Sequence, residues 1–329
     1  MSKAINKDKD KDINRGISGD MKKEVLCVDC GSENCPCYLA LEKECIMCGK
    51  LNGKDCNECK WNGVCIYNEY LQGGQKVNNP RHDIFGEIIS RKEYEKGIEV
   101  FEIYVGKGFA MRCSTPGSYL FLRNPEKETF FQAPISVMCT DIAKGTVTVA
   151  VQQLSSKSKS LLEAQKGFMV RGVYRNGIIG IGDVLKSEDP VLIIAKGMAA
   201  APLGIVLEFL NRKRAVEVYL DSEKLSAEFK NEYLMHKYSK YTKETPLNEL
   251  IDTSADIYKK EGYEHVQTVV LASDYYINRL RKVIKIDAYS NNFRLCCGEG
   301  ICGSCEKTNA FGEKMKMCKC QLAADEIFE

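Results

Sequence analysis

Six cysteines close to residue 300 are the residues whose type and spacing point most directly to chemistry. Residues 296–320 read CCGEGICGSCEKTNAFGEKMKMCKC. This stretch is rich in glycine and poor in bulky apolar side chains, so it cannot bury enough apolar surface to hold itself together. Cysteines can supply the missing stability as disulfides, as ligands of structural zinc or as ligands of an iron–sulfur cluster.

The spacing of four of these cysteines favours the cluster. Cys297, Cys302, Cys305 and Cys318 are separated as C-x4-C-x2-C-x12-C, which is the plant-type ferredoxin run followed by a more distant fourth cysteine. The glycines between them let the backbone wrap closely around a flat cluster. Structural zinc usually takes two C-x2-C pairs, and only one is present here. We therefore expect a 2Fe–2S cluster on these four residues, with Cys296 and Cys320 as spare neighbours that could each replace a ligand.

Nine more cysteines lie between residues 27 and 65. They form three C-x2-C pairs plus three further thiols: Cys27, Cys30, Cys35, Cys37, Cys45, Cys48, Cys56, Cys59 and Cys65. Nine thiols can ligate two four-cysteine sites with one left over, or one cluster together with zinc. The segment has too few apolar residues to fold alone, so we expect it to fold as one metal-binding unit. An iron–sulfur cluster such as 4Fe–4S is favoured, and zinc is the alternative.

The composition of the 329 residues excludes several kinds of partner. With 47 basic and 45 acidic residues the net charge is +2, which gives no excess charge for nucleic acid. The sequence has no 18-residue apolar run and its first residues lack the apolar core of a signal peptide, so we expect a cytoplasmic protein without membrane insertion. Thiols stay reduced in the cytosol, and the 17 cysteines are therefore interpreted as metal ligands more readily than as disulfides.

The chain between the two cysteine groups changes its hydrophobic pattern once. From His82 to about Asp183 it has short alternating segments such as IFGEIIS, EVFEIYVG and TVTVAVQQL, which predict strands of an antiparallel barrel. From Asp189 a buried run, PVLIIAKG, precedes a helical segment, AAPLGIVLEFLNRK, and a further strand, AVEVYLDS. That order predicts a β-α-β unit, which HVQTVVLAS and YYINRLRKVIK extend into a parallel sheet.

These patterns predict an α+β multidomain chain. We expect a disordered tail over residues 1–24 and a cysteine-rich metal-binding module with its linker over 25–79. An antiparallel β-barrel follows over 80–186, an α/β parallel-sheet domain over 187–288 and a cluster-binding tail over 289–329.

This order of parts resembles the ferredoxin-reductase-like electron-transfer subunit of dihydroorotate dehydrogenase, over roughly residues 82–329. In that family the barrel binds FAD and the sheet domain binds a nicotinamide nucleotide. The tail holds a 2Fe–2S cluster that faces a partner subunit. The N-terminal cysteine module is not part of the typical subunit, and it suggests another electron route.

The resemblance implies flavin-binding residues on the barrel. The family's Arg-Pro-Ile-Ser run appears as Ala133-Pro134-Ile135-Ser136, without the arginine, and Arg123 in the preceding segment is a candidate substitute for binding the FAD phosphates. The family's strand that runs into a Gly-Lys-Gly-Thr turn corresponds to TVTVAVQQLSSKSKSLL. The implied contacts there are Gln152, Lys157 and Ser158.

The nucleotide-binding motifs of the family are altered in this sequence. The Gly-Gly-x-Gly-x-Ala-Pro loop appears as KGMAAAP, in which Gly197 and Ala199 are the candidate cofactor contacts and a lysine, Lys196, replaces one glycine. The later Cys-Gly-Pro signature is replaced by Ala272-Ser273-Asp274, which brings a negative charge near the expected nicotinamide. NAD(P) binding therefore stays open.

Three functions are consistent with these observations. The leading hypothesis is an oxidoreductase subunit that passes electrons between a nicotinamide or other donor, FAD, iron–sulfur clusters and a partner subunit or ferredoxin-like carrier. A non-enzymatic relay or scaffold with degenerate flavin and nucleotide sites is the second, and a zinc-rich binding module is the third. With only His82, His236 and His265 in the chain, we predict no catalytic side chain of the Ser-His-Asp or Cys-His kind.

Overall fold

A computed structural model describes residues 26–328 with the exception of 58, 60, 211–213, 236, 259–265 and 293, and only the backbone of 253–258. The expected tail over 1–24, together with His236 and His265, lies outside the described residues. His82 is exposed. In the described part of the chain, no helix is long and apolar enough to span a bilayer.

The described strands and helices have the following bounds. The strands are β1 (Leu26–Cys27), β2 (Asp83–Tyr94), β3 (Ile98–Tyr104), β4 (Tyr119–Arg123), β5 (Ala133–Asp141), β6 (Thr146–Gln152), β7 (Gly167–Tyr174), β8 (Ile178–Ile179), β9 (Val191–Lys196), β10 (Val216–Asp221), β11 (Thr242–Glu244), β12 (Gln267–Leu271), β13 (Ala288–Ser290), β14 (Glu306–Thr308), β15 (Lys314–Lys316) and β16 (Cys320–Gln321). The α-helices are α1 (Tyr38–Leu41), α2 (Ile66–Gln72), α3 (Lys107–Cys113), α4 (Ser156–Leu162), α5 (Ile181–Lys186), α6 (Leu203–Leu210), α7 (Ala227–Phe229), α8 (Leu247–Tyr258), α9 (Asp274–Leu280) and α10 (Ala324–Ile327).

Six of these strands close into the expected antiparallel barrel, in the order β2-β3-β6-β5-β4-β7. Their alternating sequence puts every second side chain inside, where Phe101 and Phe168 meet edge to face with ring centres 5.2 Å apart. Both rings are fully buried. The barrel prediction is confirmed.

The second domain contains the predicted β-α-β unit and a six-stranded sheet in the order β11-β10-β9-β12-β13-β8. Neighbouring strands are parallel from β11 to β13, and α6 and α9 lie where the helical patterns predicted helices. The sheet is mixed rather than wholly parallel because β8 pairs antiparallel with β13. A two-residue strand is too short to show a periodicity, so the sequence pattern did not predict it.

The two cysteine-rich ends of the described chain meet in a small antiparallel sheet. β1 pairs with β16, with Cys27 opposite Cys320. The Val28 amide continues the pairing by donating to the Lys319 carbonyl at 2.9 Å. A separate hairpin, β14–β15, lies in the chain between Cys305 and Cys318.

Candidate functional site

The four C-terminal cysteines chosen from their spacing come together in the fold. The Cys318 thiol hydrogen-bonds to Cys297 and Cys305, which lowers the pKa of Cys297 to about 4 and that of Cys305 to about 7. Cys302 also contacts Cys297. Cys305 and Cys318 are buried, whereas Cys302 is exposed at the outer side of the loop.

Backbone amides point at these sulfurs. The Glu299 amide donates to the sulfur of Cys297 at 3.3 Å, and the Cys318 amide donates to that of Cys305 at 3.4 Å. A further amide, that of Ser304, hydrogen-bonds to Cys302. Amide donors of this kind stabilise thiolates and tune the clusters that thiolates hold. The loop is therefore suited to bind an iron–sulfur cluster.

Glycines let this loop lie directly against its surroundings. Gly298 has φ +73°, and a Cβ there would meet the Tyr174 ring at 2.5 Å. Gly300 has φ +81°, and a Cβ there would lie 2.8 Å from Leu39 of the N-terminal module. Both positions require a glycine for backbone conformation and for space. The loop thus packs between the barrel and the N-terminal cysteines.

The barrel holds the loop through hydrogen bonds to its carbonyl groups. The Gln132 side-chain amide donates to the Cys296 carbonyl at 2.8 Å, and Arg171 of β7 donates to the Cys297 carbonyl at 3.2 Å. Gln132 immediately precedes β5, which carries the Pro-Ile-Ser run. The cysteine loop and the predicted flavin strand are therefore neighbours.

Four buried charged side chains lie behind the loop: Asp29, Arg81, Glu299 and Lys319. The Lys319 ammonium contacts Asp29 at 2.6 Å and Glu299 at 2.9 Å, and its side chain is 0% exposed. Arg81 contacts the same two carboxylates at 2.8 and 3.3 Å. Burial opposes ionisation of Asp29, but the two cations outweigh it and lower the pKa of Asp29 to about 2. Two cations and two anions are thus balanced at the junction of both cysteine groups and the barrel.

The residues predicted to bind flavin lie at one end of the barrel. Ile135 and Ser136 are half-buried and Pro134 is exposed on β5. Val137 of β5 pairs with Val149 of β6, and in this register β6 ends at Gln152 at the same end of the barrel. Two large apolar side chains are uncovered nearby, Phe130 just before β5 and Leu154 just after β6, at 64% and 76% exposed. An uncovered apolar patch beside polar groups suits an aromatic cofactor.

Two of the proposed phosphate contacts are already engaged within the protein. Arg123 donates to the Lys127 carbonyl at 2.7 Å and forms an ion pair with Asp83 at 3.4 Å. The Ser158 hydroxyl accepts hydrogen bonds from the Leu154 and Ser155 amides, so that the start of α4 is capped by its own residues. Lys157 is half-buried in the first turn of α4.

The charged side chains at the turn after β9 are paired with each other. Lys196 hydrogen-bonds to Asp221 at the end of β10, and Glu223 lies 3.5 Å away. In dinucleotide sites the acidic residue after the second strand binds the ribose. Here the Asp221 carboxylate instead accepts from Lys196 and from the Leu247 amide at 2.8 Å. The charge of Lys196 is therefore neutralised, and the Asp221 carboxylate is already hydrogen-bonded within the protein.

The other residues of the altered motifs are also placed by the fold. Gly197, with φ +56°, and Ala199 form part of the 3-10 turn that follows β9. Asp274 begins α9, and burial raises the pKa of its carboxyl. It therefore adds a poorly solvated acidic group near the same edge of the sheet.

The nine N-terminal cysteines divide by exposure. Cys35, Cys37 and Cys48 are buried, whereas Cys56, Cys59 and Cys65 are exposed. Among the described residues, no three Cys, His, Asp or Glu side chains surround a point that could hold one metal ion. The ligands of a polynuclear cluster are spread over several metal atoms, so they need not surround one point.

Sequence reasoning missed the side chains that join the modules. Gln132, Arg171, Asp29, Arg81 and Lys319 meet only through contacts between residues far apart in the chain. The one local signal was Lys319 between two cysteines that are themselves buried, since a buried lysine needs a partner.

No family model and no curated protein sequence matches this chain. Among solved structures, an NADH-dependent reduced ferredoxin-NADP oxidoreductase studied for flavin-based electron bifurcation superposes with a TM-score of 0.56 at 15% identity, over 74% of this chain and 90% of that one. A ferredoxin-NADP⁺ reductase from Neisseria gonorrhoeae with bound FAD and NADP gives a TM-score of 0.47 at 14% identity, over 61% of this chain and 89% of that one. The likeness to the first structure shows that this chain has the fold of a ferredoxin-NADP oxidoreductase, a six-stranded barrel followed by a mixed, mainly parallel sheet.

Proposed function

We propose that this chain is the flavin and iron–sulfur electron-transfer subunit of an oxidoreductase complex, similar to the subunit of dihydroorotate dehydrogenase that its sequence resembles. The observation that carries the proposal is the meeting of Cys297, Cys302, Cys305 and Cys318 beside the flavin strand of the barrel. This arrangement supports a relay between a flavin and a cluster held within one chain.

The chain's own residues provide the cluster site. Four thiolates would hold a 2Fe–2S cluster, which exchanges one electron at a time when it is bound. The Glu299 and Cys318 amides donate hydrogen bonds to the sulfurs and so offset their negative charge. Cys297 hydrogen-bonds to Cys318 and Cys302 and lies close to Cys305, which favours it over its neighbour Cys296 as the ligand.

The barrel end with Pro134, Ile135, Ser136 and Gln152 would hold FAD, which when bound converts between two-electron and one-electron chemistry. Phe130 and Leu154 would give its ring system apolar cover. Because Arg123 and Ser158 are engaged internally, Lys157 is the remaining side chain of this group that could bind a phosphate. We assign no step to NAD(P), since Lys196 and Asp221 at the turn after β9 are paired with each other.

The partner would approach the exposed side of the cysteine loop. Ile301 is 49% exposed beside the exposed Cys302. An apolar residue at the outer edge of a redox centre suits contact with a partner subunit or a ferredoxin-like carrier. The N-terminal module, which we propose also binds metal and folds as one unit, would supply a second route away from the barrel.

The protein purified without oxygen is expected to contain about one flavin per chain together with iron and acid-labile sulfide. Cys302→Ser should abolish or grossly change the paramagnetic signal of the reduced C-terminal cluster, because one of four ligands is lost. Cys296→Ser is the matched control and should leave that signal intact. An unchanged signal in Cys302→Ser would show that the ligand assignment is wrong.

Ser136→Ala is expected to weaken flavin retention about fivefold, because a hydrogen bond worth about 1 kcal/mol would be lost. Equilibrium dialysis of free FAD against each variant measures the change. Thr140→Ala, further along the same strand, is the control and should retain FAD like the unmodified protein. Equal retention by both variants would argue against Ser136 as a flavin contact.

A relay or scaffold without flavin is the second candidate, and specific contacts favour it. The Lys196–Asp221 pair and the self-capped α4 are what degenerate nucleotide and flavin sites would show. Iron and sulfide without any flavin, even after incubation with FAD, would select this function. Zinc without sulfide would instead select the zinc-rich binding module.

A further inference from the structure

A small cavity lies within the N-terminal module, next to the C-terminal cysteine loop. Five cysteines line it: Cys27, Cys30, Cys35, Cys37 and Cys45. The rest of its wall is mostly apolar and includes Leu39, Ile46 and Ile66. We call this space the inner cavity. An interior space walled mainly by thiols and apolar groups excludes water and suits a sulfur-rich inorganic group.

The five thiols of the inner cavity interact with one another. Cys30 and Cys35 hydrogen-bond through their side chains, and Cys27 and Cys45 are close enough to Cys30 to act on its charge. Cys37 lies similarly close to Cys27 and Cys45. The five side chains therefore form one group around one space.

Backbone amides point at these sulfurs as they do in the C-terminal loop. The Asp29, Gly31, Leu39 and Met47 amides hydrogen-bond to Cys27, Cys35, Cys37 and Cys45, respectively. Around neutral, isolated thiols in an apolar wall, such amides would have no negative charge to stabilise. Around metal-bound thiolates they offset negative charge.

The remaining four cysteines form a different group, which we call the outer group: Cys48, Cys56, Cys59 and Cys65. Cys48 lies near Cys56 and Cys65, its sulfur accepts from the Lys50 and Leu51 amides, and it is not part of the lining of the inner cavity. Cys56, Cys59 and Cys65 are exposed. The pair Cys45 and Cys48 is therefore divided, one thiol facing each group.

We propose that the inner cavity is the binding site of a four-iron, four-sulfur cluster, ligated by four of its five cysteines, and that the outer group is a separate metal site. This inference rests on the proposed electron-transfer function and adds the ligand grouping that the spacing leaves open. A 4Fe–4S cluster takes four cysteine ligands and exchanges one electron when bound. The fifth thiol remains as a neighbour within the same wall.

The inner cavity is built against the C-terminal site through three contacts. Leu39 of its wall touches Gly300 of the cysteine loop, and β1 pairs Cys27 with Cys320. The Lys319 ammonium acts electrostatically on the thiols of Cys27 and Cys37. In the chain, Lys319 directly follows the proposed ligand Cys318. One buried cation thus lies close to both groups of thiols. The inner cavity and the C-terminal cysteine loop would therefore be neighbouring sites in the proposed relay.

Five single Cys→Ser variants of the inner cavity test the grouping in the full chain. At least four of them should lose about four iron atoms per chain and the paramagnetic signal of a reduced 4Fe–4S cluster. Cys56→Ser in the outer group is the matched control and should keep the paramagnetic signal of the inner cluster, whatever metal the outer site loses. Loss of this signal in Cys56→Ser, or its survival in two or more inner variants, would overturn the grouping, and so would zinc in place of iron in the inner cavity.

A second measurement avoids variants that fail to fold. The unmodified holoprotein is exposed to increasing chelator and then to an alkylating reagent, and the modified cysteines are identified by mass spectrometry. The inner five should become reactive in one step and the outer four in another, whereas a single step for all nine would contradict two separate sites. Flavin content and the signal lost in Cys302→Ser report on the proposed function independently, so its failure is distinguishable from failure of the grouping.

Discussion

Lys319→Met should lower the free energy of unfolding by about 3–5 kcal/mol, because removing one partner of a buried ion pair leaves uncompensated charge. Lys319 is 0% exposed and holds two carboxylates, Asp29 and Glu299. After the substitution Arg81 alone would face both anions. Anaerobic urea denaturation of the holoprotein measures the loss.

Lys316→Met is the matched control for this experiment. Lys316 lies three residues earlier and pairs with Glu44 at 3.3 Å and Glu306 at 3.6 Å at the surface. Such pairs contribute about 1 kcal/mol or less. Similar small losses in both variants would show that the buried charges do not hold the two cysteine modules together.

Lys196→Met should also destabilise the protein by about 3–5 kcal/mol at neutral pH, because Asp221 would stay buried without its cation. The two side chains are 9% and 5% exposed. Lys243→Met, which breaks an exposed pair with Glu217 on the neighbouring strand, is the control and should cost about 1 kcal/mol or less.

The loss in Lys196→Met should depend on pH in a definite direction. Burial alone would raise the pKa of Asp221, but Lys196 and two backbone amides lower it below its usual 3.8. The pair therefore stabilises the fold above the unfolded pKa of Asp221, and this contribution disappears as the pH falls through the folded value. In the variant burial acts without the lysine, so the carboxyl is protonated at higher pH. The difference from the unmodified protein should thus shrink as the pH falls from neutral towards the ordinary aspartate pKa of 3.8. A difference that stays constant over this range would contradict the assignment.

Periodic segments of the sequence predicted the two main domains. Alternation in IFGEIIS and TVTVAVQQL predicted β2 and β6, and the apolar run PVLIIAKG predicted β9. These elements form because local pattern and burial agree. Three strands, β1, β8 and β16, have only two residues each. Their conformation is therefore determined by the strands with which they pair, and not by a local sequence pattern.

The site was predictable only where spacing carries the chemistry. The spacing of Cys297, Cys302, Cys305 and Cys318 predicted that these four thiols lie together, and the fold brings them into contact. The Lys196–Asp221 contact joins residues 25 positions apart, and Lys319 meets Asp29 across 290 positions. No local pattern encodes such pairs. The inner cavity was equally hidden, because C-x2-C spacing does not tell which way each thiol faces.

The pairing of β1 with β16 also constrains the order of events during synthesis. Leu26 and Cys27 leave the ribosome early, yet their partners Cys320 and Gln321 emerge almost a whole chain later. Closing so long a loop is a late step in folding. Throughout translation the nascent Cys27 therefore lacks the strand that finally pairs with it, so the contact between the two cysteine-rich modules can form only after translation has passed residue 321.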